Sequence, residues 1–565
     1  MTAARTPIDA IAEAWVDTEL ELIPEARVML GRPGREGEYG DHSPAGAAAY
    51  ADAARAALAR LRAVRPVDTT DEVTARDLGR ELELVLDRFD AGCHLGDLDV
   101  IASPAQGIRE VFDLMPTGTE QDWAWVAARM RHVPGAIDGY LESLRAGIAA
   151  GRVPARRQVA AVIAQLDEQA SGEGFFGGLA AEGAAAHAAL AGELSRGAGE
   201  AGEAYDRLRA FLAEDLAPRA RADDAVGRDA YRLASRGFLG AEIDLDETYE
   251  WGVEELARVA AEQEAVARRI LPGAGVAEAI AHLESDPARK LHGTAALRAW
   301  MQEVSDRAIA ELGASAFDIP EPLRRLECMI APTRTGGIYY TPPSEDFARP
   351  GQMWWSVPEG VEDFDTWREL TTVYHEGAPG HHLQHGQAVL RADSLNTWRR
   401  QNFVSGHGEG WALYAERLMA ELGYLDDPAD LLGMLDGQRL RALRVVLDLG
   451  VHLGKPRLDG TGVWDYDYAL AQMREHVHMP EPFLVFETQR YLGWPGQAPS
   501  YKIGQRVWEE LRAEAERAAG DAWDVKAWHR RALELGGVGL DTLRWAMRRA
   551  GADERREAHD APLAR

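Results

Sequence analysis

Five of the sixteen histidines fall between His375 and His407, a stretch of 33 residues where even scatter would place about one. The densest part reads Tyr374-His375-Glu376-Gly377-Ala378-Pro379-Gly380-His381-His382-Leu383-Gln384-His385. Imidazoles bind a borderline-soft cation such as zinc, and a carboxylate beside them can take a proton from water activated there. That is the chemistry of a metal-dependent hydrolase. In the usual His-Glu-x-x-His arrangement the two histidines share one helix face. Here the position four after His375 is Pro379, which has no ligating atom.

A helix turns about 100° per residue, so a histidine six positions on points away from His375, and one seven on returns to its face about 10 Å further along. Neither gives a compact site. Pro379 lacks an amide donor and clashes with the preceding turn, while Gly380 adopts backbone angles closed to other residues. The Pro-Gly pair is therefore expected to bulge from the helix as a two-residue insertion. That would bring His381 to the place of the second ligand, with His382 as its rival. Upstream, Thr366 and Glu369 fit a capping box, and Trp367, Leu370 and Tyr374 recur at helical spacing, so His375 and Glu376 should end a short packed helix. A catalytic zinc usually takes three protein ligands. Glu409, at the start of a second amphipathic helix, is the candidate for the third, with His407 and Glu416 as partners that orient the ligating imidazoles.

These residues resemble a known family. The run His-Glu-x-x-Pro-Gly-His-His, followed by Glu-Gly-Trp-Ala-Leu-Tyr-x-Glu, is similar to the bacterial family called domain of unknown function 885, which is grouped with gluzincin-type zinc peptidases. Leu447-Asp448-Leu449-Gly450-Val451-His452 is similar to its Val-Asp-Thr-Gly-x-His stretch, with Leu447 and Leu449 departing from the pattern. Glu487-Thr488-Gln489-Arg490-Tyr491 and Pro495-Gly496-Gln497-Ala498-Pro499-Ser500-Tyr501-Lys502-Ile503-Gly504 resemble its C-terminal signature. The motifs span roughly 320 to 510. The resemblance implies one zinc ion per chain, a zincin-like architecture and amide hydrolysis, with Tyr501 and His452 beside the oxyanion. Asp448 and His452, four apart on a helix, share a face. Arg490, through its planar fork, or Lys502 would anchor a substrate carboxylate.

Ahead of the histidines, three short aromatic and branched runs (residues 327–331, 336–341 and 352–357) read as a small antiparallel sheet beside the metal helix. Its edge could align an extended peptide, with Tyr339, Tyr340, Trp354 and Trp355 lining a cleft. Residues 1–320 read as a scaffold of amphipathic helices, for example 47–64 and 73–89, with an Ala/Gly-rich stretch at 177–202 expected to be a loosely ordered helix and loop. Residues 321–550 carry the catalytic region and 551–565 a polar tail. The fold expected is thus mainly α, in two interlocked lobes around a deep cleft.

Sixty-two basic residues against 92 acidic ones give a net charge of -30. That argues against nucleic acid or an anionic membrane as partner. The first residues lack the apolar core of a signal peptide, and Cys93 and Cys328 are too few for a disulfide framework. A cytoplasmic protein is expected. Glu376 would be the general base of a zinc hydrolase acting on short peptides. The alternatives are a metal-dependent amidase acting on a non-peptide metabolite, and a non-catalytic binding protein on a zincin-like fold.

Overall fold

The computed structural model describes residues 6–170, 174–332 and 337–560. It is mainly helical, with two small sheets. Helices Pro44–Arg62 and Thr69–Asp90 match the amphipathic patterns read there. The Ala/Gly-rich stretch is helical too. The expected helix is present, as Gly174–Ala186 and part of Ala191–Phe211, and it is packed rather than loose. Small residues let these helices pack closely: a Cβ at Gly183 or Gly197 would press on Trp123 or Met130 of the neighbouring Glu120–Ala150 helix. Of the expected polar tail, residues 551–560 continue the helix Leu540–Asp560, and 561–565 lie outside the described residues, as do Met1 to Arg5 and Gly336.

Three apolar cores organise the described residues. One gathers residues between Ile8 and Leu82 with Trp398, a second those between Leu98 and Ala220, and the largest runs from Tyr231 to Met547 with Val73. No helix among the described residues is long and apolar enough to cross a membrane.

The expected antiparallel sheet is mixed. Gly351–Trp355 lies in the centre, antiparallel to Ile338–Thr341 and parallel to Leu326–Ile330. The strand that comes third in the chain thus lies between the two that precede it. A second pairing, Lys290–His292 with Asp363–Asp365, leads directly into the helix Thr366–Glu376. Asp365 is the N-cap of that helix, but its carboxylate accepts from Lys290 Nζ at 2.7 Å and makes no cap bond, and Thr366 donates to Arg289 O at 3.0 Å, so no capping box forms.

The chain breaks after Glu376 and restarts as His381–Leu390. The break is thus a link between two helices, in place of the expected bulge within one. Gly377 N–H donates to Val373 O, Gly380 N–H to Tyr374 O and His382 N–H to Gly377 O, so its backbone groups are bonded locally. Gly380 is required by close approach, since a Cβ there would overlap the His375 carbonyl oxygen. Trp411, fully buried on the helix Ser405–Glu421, donates its indole N–H to Pro379 O at 3.0 Å and Gly380 O at 3.3 Å. The same helix meets Gln497–Ala519 at a crossing of glycines, where a Cβ on Gly504 would overlap the Gly406 carbonyl oxygen.

Replacing Trp411 by Phe keeps an aromatic ring but removes the donor to two buried carbonyls. Urea unfolding of Trp411→Phe should show a loss of about 1–3 kcal/mol, the cost of unmet buried acceptors. A change within a few tenths of the wild type would show that the indole bond does not secure the break.

Candidate metal centre

His375 Nε2 and His381 Nε2 both face Glu409 Oε2, at 3.3 Å and 3.6 Å. One potential ligand atom from each of the three residues lies within 4.8 Å of the other two. The imidazole rings are perpendicular with centroids 4.9 Å apart. All three side chains are withdrawn from solvent, Glu409 least completely. The three residues come from three helices: the last turn of Thr366–Glu376, the first residue of His381–Leu390, and the second turn of Ser405–Glu421, with the short helix Thr397–Gln401 between the last two.

Each imidazole is oriented through its other nitrogen. His375 Nδ1 donates to Glu416 Oε1 at 2.8 Å, and Glu416 Oε2 accepts from Thr371 Oγ1 at 2.7 Å. His381 Nδ1 lies 3.3 Å from Gln384 Oε1, and the amide of Gln384 turns to His407 Nδ1. With Nδ1 as donor in both rings, both Nε2 lone pairs point at the common centre. Of the two orienting candidates read from the sequence, Glu416 acts on His375 directly and His407 sits one residue removed, behind Gln384. Gln384 went unnoticed; its i, i+3 spacing from His381 was the available signal.

The group favours positive charge. Burial pulls the His375 imidazole down, yet the neighbouring carboxylates of Glu409 and Glu416 outweigh this and raise it to about 10. Burial likewise opposes ionisation of Glu409, but His375 and His381 hold its carboxyl well below the usual range. Glu376 lies beside the group, its carboxyl raised by burial against the lowering pull of His381 and His375. Tyr501 is raised by burial and then by Glu409, so its phenol stays protonated.

The remaining candidates separate by their bonds. His382 is fully buried, with Nε2 on Leu323 O at 2.8 Å and Nδ1 on Tyr340 Oη at 3.0 Å; both nitrogens are used, and it is not a ligand in this arrangement. Tyr340 accordingly meets His382 and stacks near His385. His452 is wholly buried, its Nε2 on Tyr491 O at 3.1 Å and 3.8 Å from Asp448 Oδ1. Asp448 Oδ2 accepts from Gly496 N–H at 2.9 Å and Tyr231 Oη at 2.6 Å, which ties down the start of the Tyr501 helix. Arg490 puts Nε and Nη2 on Glu487 at 2.9 and 2.8 Å and Nη1 on Gln497 at 2.7 Å. Lys502 is bonded to Gln438 and Glu255 at 2.6 and 2.9 Å, among the charged side chains of a separate groove. As carboxylate anchors, Arg490 and Lys502 are already engaged.

Chemically this is a mainly helical protein holding a buried His-His-Glu group with a further carboxylate beside it. The family model described as "Bacterial protein of unknown function (DUF885)" matches residues 24–547, and the chain belongs to that family. No curated protein matches the chain. Among solved structures, a "putative lipoprotein from Colwellia psychrerythraea" is similar at TM-score 0.83 and 21% identity, covering 97% of this chain and 99% of that one. A "putative lipoprotein of unknown function from Shewanella oneidensis" is similar at TM-score 0.76 and 17% identity, covering 96% and 100%. These likenesses show the fold. They also correct the cytoplasmic expectation, because both of these structural relatives bear the name lipoprotein. A hydrophilic, acidic composition suits proteins on either side of a membrane, so it had no power to place this one.

Two outcomes follow from this geometry. Glu416→Ala should weaken zinc binding about 10–100-fold in a chelator competition, the usual cost of losing an orienting partner, whereas His382→Ala should leave zinc stoichiometry unchanged. Glu487, whose burial is outweighed by Arg444 and Arg490, has its carboxyl lowered to about 2. A lowered folded-state value means that its contribution is complete above the unfolded value of about 4.3 and is lost as pH falls towards 2. Urea unfolding from pH 7 down to 3 should show Glu487→Gln less stable than wild type at pH 7, with the gap narrowing only below about pH 4.3.

Proposed function

We propose that the chain is a zinc-dependent hydrolase that cleaves amide bonds of short peptides, an oligopeptidase, dipeptidase or carboxypeptidase. The observation that carries this reading is the spacing around Glu409 Oε2, 3.3 Å from His375 Nε2 and 3.6 Å from His381 Nε2. A charge-assisted N–H···O bond closes to about 2.7–2.9 Å. Donors about 2.0–2.2 Å from one tetrahedral centre stand about 3.4 Å apart. The separations fit a shared ion better than direct bonds, and both histidines have their second nitrogen occupied as metal-ligating imidazoles do.

One zinc ion held by His375, His381 and Glu409 would supply a Lewis acid and lower the pKa of water. Glu376 takes the proton from the attacking water and passes it to the leaving amine. The protonated Tyr501 donates to the oxyanion that develops at the scissile carbonyl. Glu416 and Gln384 keep the imidazoles aimed, while His452, Arg490 and Lys502 hold the surrounding helices. In this reading residues 1–320 serve as a helical scaffold lobe and 321–550 as a zincin-like catalytic region, with the peptide bound in a cleft between them.

The test is metal content of protein purified without added metal or a histidine tag. Wild type should carry about one zinc per chain and His375→Ala none. Glu376→Gln should retain zinc and lose hydrolysis of short peptides. Absence of zinc from the wild type after dialysis against zinc would overturn the reading.

A further inference from the structure

The Tyr501 side of the site is rich in guanidinium groups. Arg441 and Arg444 lie one turn apart on the helix Pro428–His452, and Arg490 faces them from Glu481–Gly493. Arg444 Cζ sits 5.3 Å from the Tyr501 ring centroid. Its Nη2 donates to Glu487 at 2.9 Å and its Nε to Tyr491 Oη at 2.6 Å. Arg490 grips the same carboxylate. Glu487 therefore balances two guanidiniums and is fully engaged.

Arg441 is different. Its one hydrogen bond runs from Nη1 to Gly437 O of its own helix, at a long 3.4 Å. Its Nε is buried without a partner, and the side chain is only half-withdrawn from solvent. Among the described residues no carboxylate lies within ion-pairing distance of it, in a chain where 92 acidic residues outnumber 62 basic ones. Helix geometry links Arg441 to the metal centre: it stands one turn before Arg444, whose guanidinium lies over the Tyr501 ring, and its charge joins those of Arg444 and Arg490 in opposing the effect of Glu409 on that phenol. A planar fork left unpaired one helical turn from the residue that covers a would-be oxyanion donor suits a carboxylate, which it binds at two points. The anion that every unblocked short peptide carries is its α-carboxylate.

We propose that Arg441 receives the free α-carboxylate of the substrate, so that the site selects the carboxy-terminal end of short, unblocked peptides. The proposal rests on the hydrolase reading of the same site. Arg444 and Arg490, spent on Glu487, add positive potential around the anchor without touching the substrate.

The experiment compares tetra-alanine with its C-terminal amide. Binding is measured by calorimetry on the full chain carrying Glu376→Gln, and hydrolysis on the chain with Glu376 intact. Tetra-alanine should bind at least about tenfold more tightly than the amide, the worth of one charge-assisted pair. Arg441→Gln should erase that difference while the melting temperature holds. Arg441→Lys, which keeps the charge and loses the fork, should fall between them and serves if the glutamine variant does not fold. Equal binding of the two peptides, binding of neither, or an unchanged preference in both variants overturns the proposal. Hydrolysis separates the two readings. Carboxylate-dependent binding with no cleavage removes the hydrolase and keeps the anchor. Cleavage of both peptides at equal kcat/KM keeps the hydrolase and removes the anchor.

Discussion

Trp411 ties together the two parts of the chain on which the centre depends. Its indole N–H reaches the carbonyls of Pro379 and Gly380, in the four-residue link between the two histidine-bearing helices. Two residues before it on its own helix stands Glu409. One side chain thus registers the link against the helix that carries the third member of the group. The link is closed from within by bonds to Val373 O and Tyr374 O. It is tight enough that no side chain larger than hydrogen fits at position 380 against the His375 carbonyl. Consecutive helices can then aim imidazoles six residues apart at one point, which a continuous helix cannot do.

The neighbouring elements remove the competing arrangement. The strand Ile338–Thr341 delivers Tyr340 Oη to His382 Nδ1, and Leu323 O takes the other nitrogen. A buried imidazole with both nitrogens bonded has no lone pair to offer an ion. Gly351 in the central strand clears the space for this contact, since a Cβ there would collide with Tyr340 and His382. The small sheet thereby decides which histidine faces Glu409.

Charge is distributed with the same economy. The chain carries a net -30, and the buried acids Glu416 and Glu487 near the centre have defined partners. Glu416 is held by His375 and Thr371, and Glu487 by Arg444, Arg490 and Tyr491. Burial without such partners would neutralise these groups or unfold the region. Burial raises the Glu376 carboxyl, His381 and His375 oppose this, and Glu409 and Glu416 add to it, a setting that tunes proton affinity.

The spacing of His375, Glu376, His381 and Glu409 was legible in the sequence because residue type and helix geometry limit what such a cluster can do. The helices at 44–62 and 69–90 were legible for the same reason, through their apolar periodicity. Local pattern failed where partners far along the chain decide the outcome. Leu323 and Tyr340 settle His382; Arg289 takes Thr366 from its expected cap; Glu487 and Gln497 occupy Arg490; and the third strand enters the sheet between the first two. Arg441 carried no motif at all, and the one sign of Gln384 was its spacing from His381. Chemical identity is local and travels with the residue. Which of its atoms remain free depends on donors and acceptors brought up from other helices and strands, and only the tertiary structure supplies those.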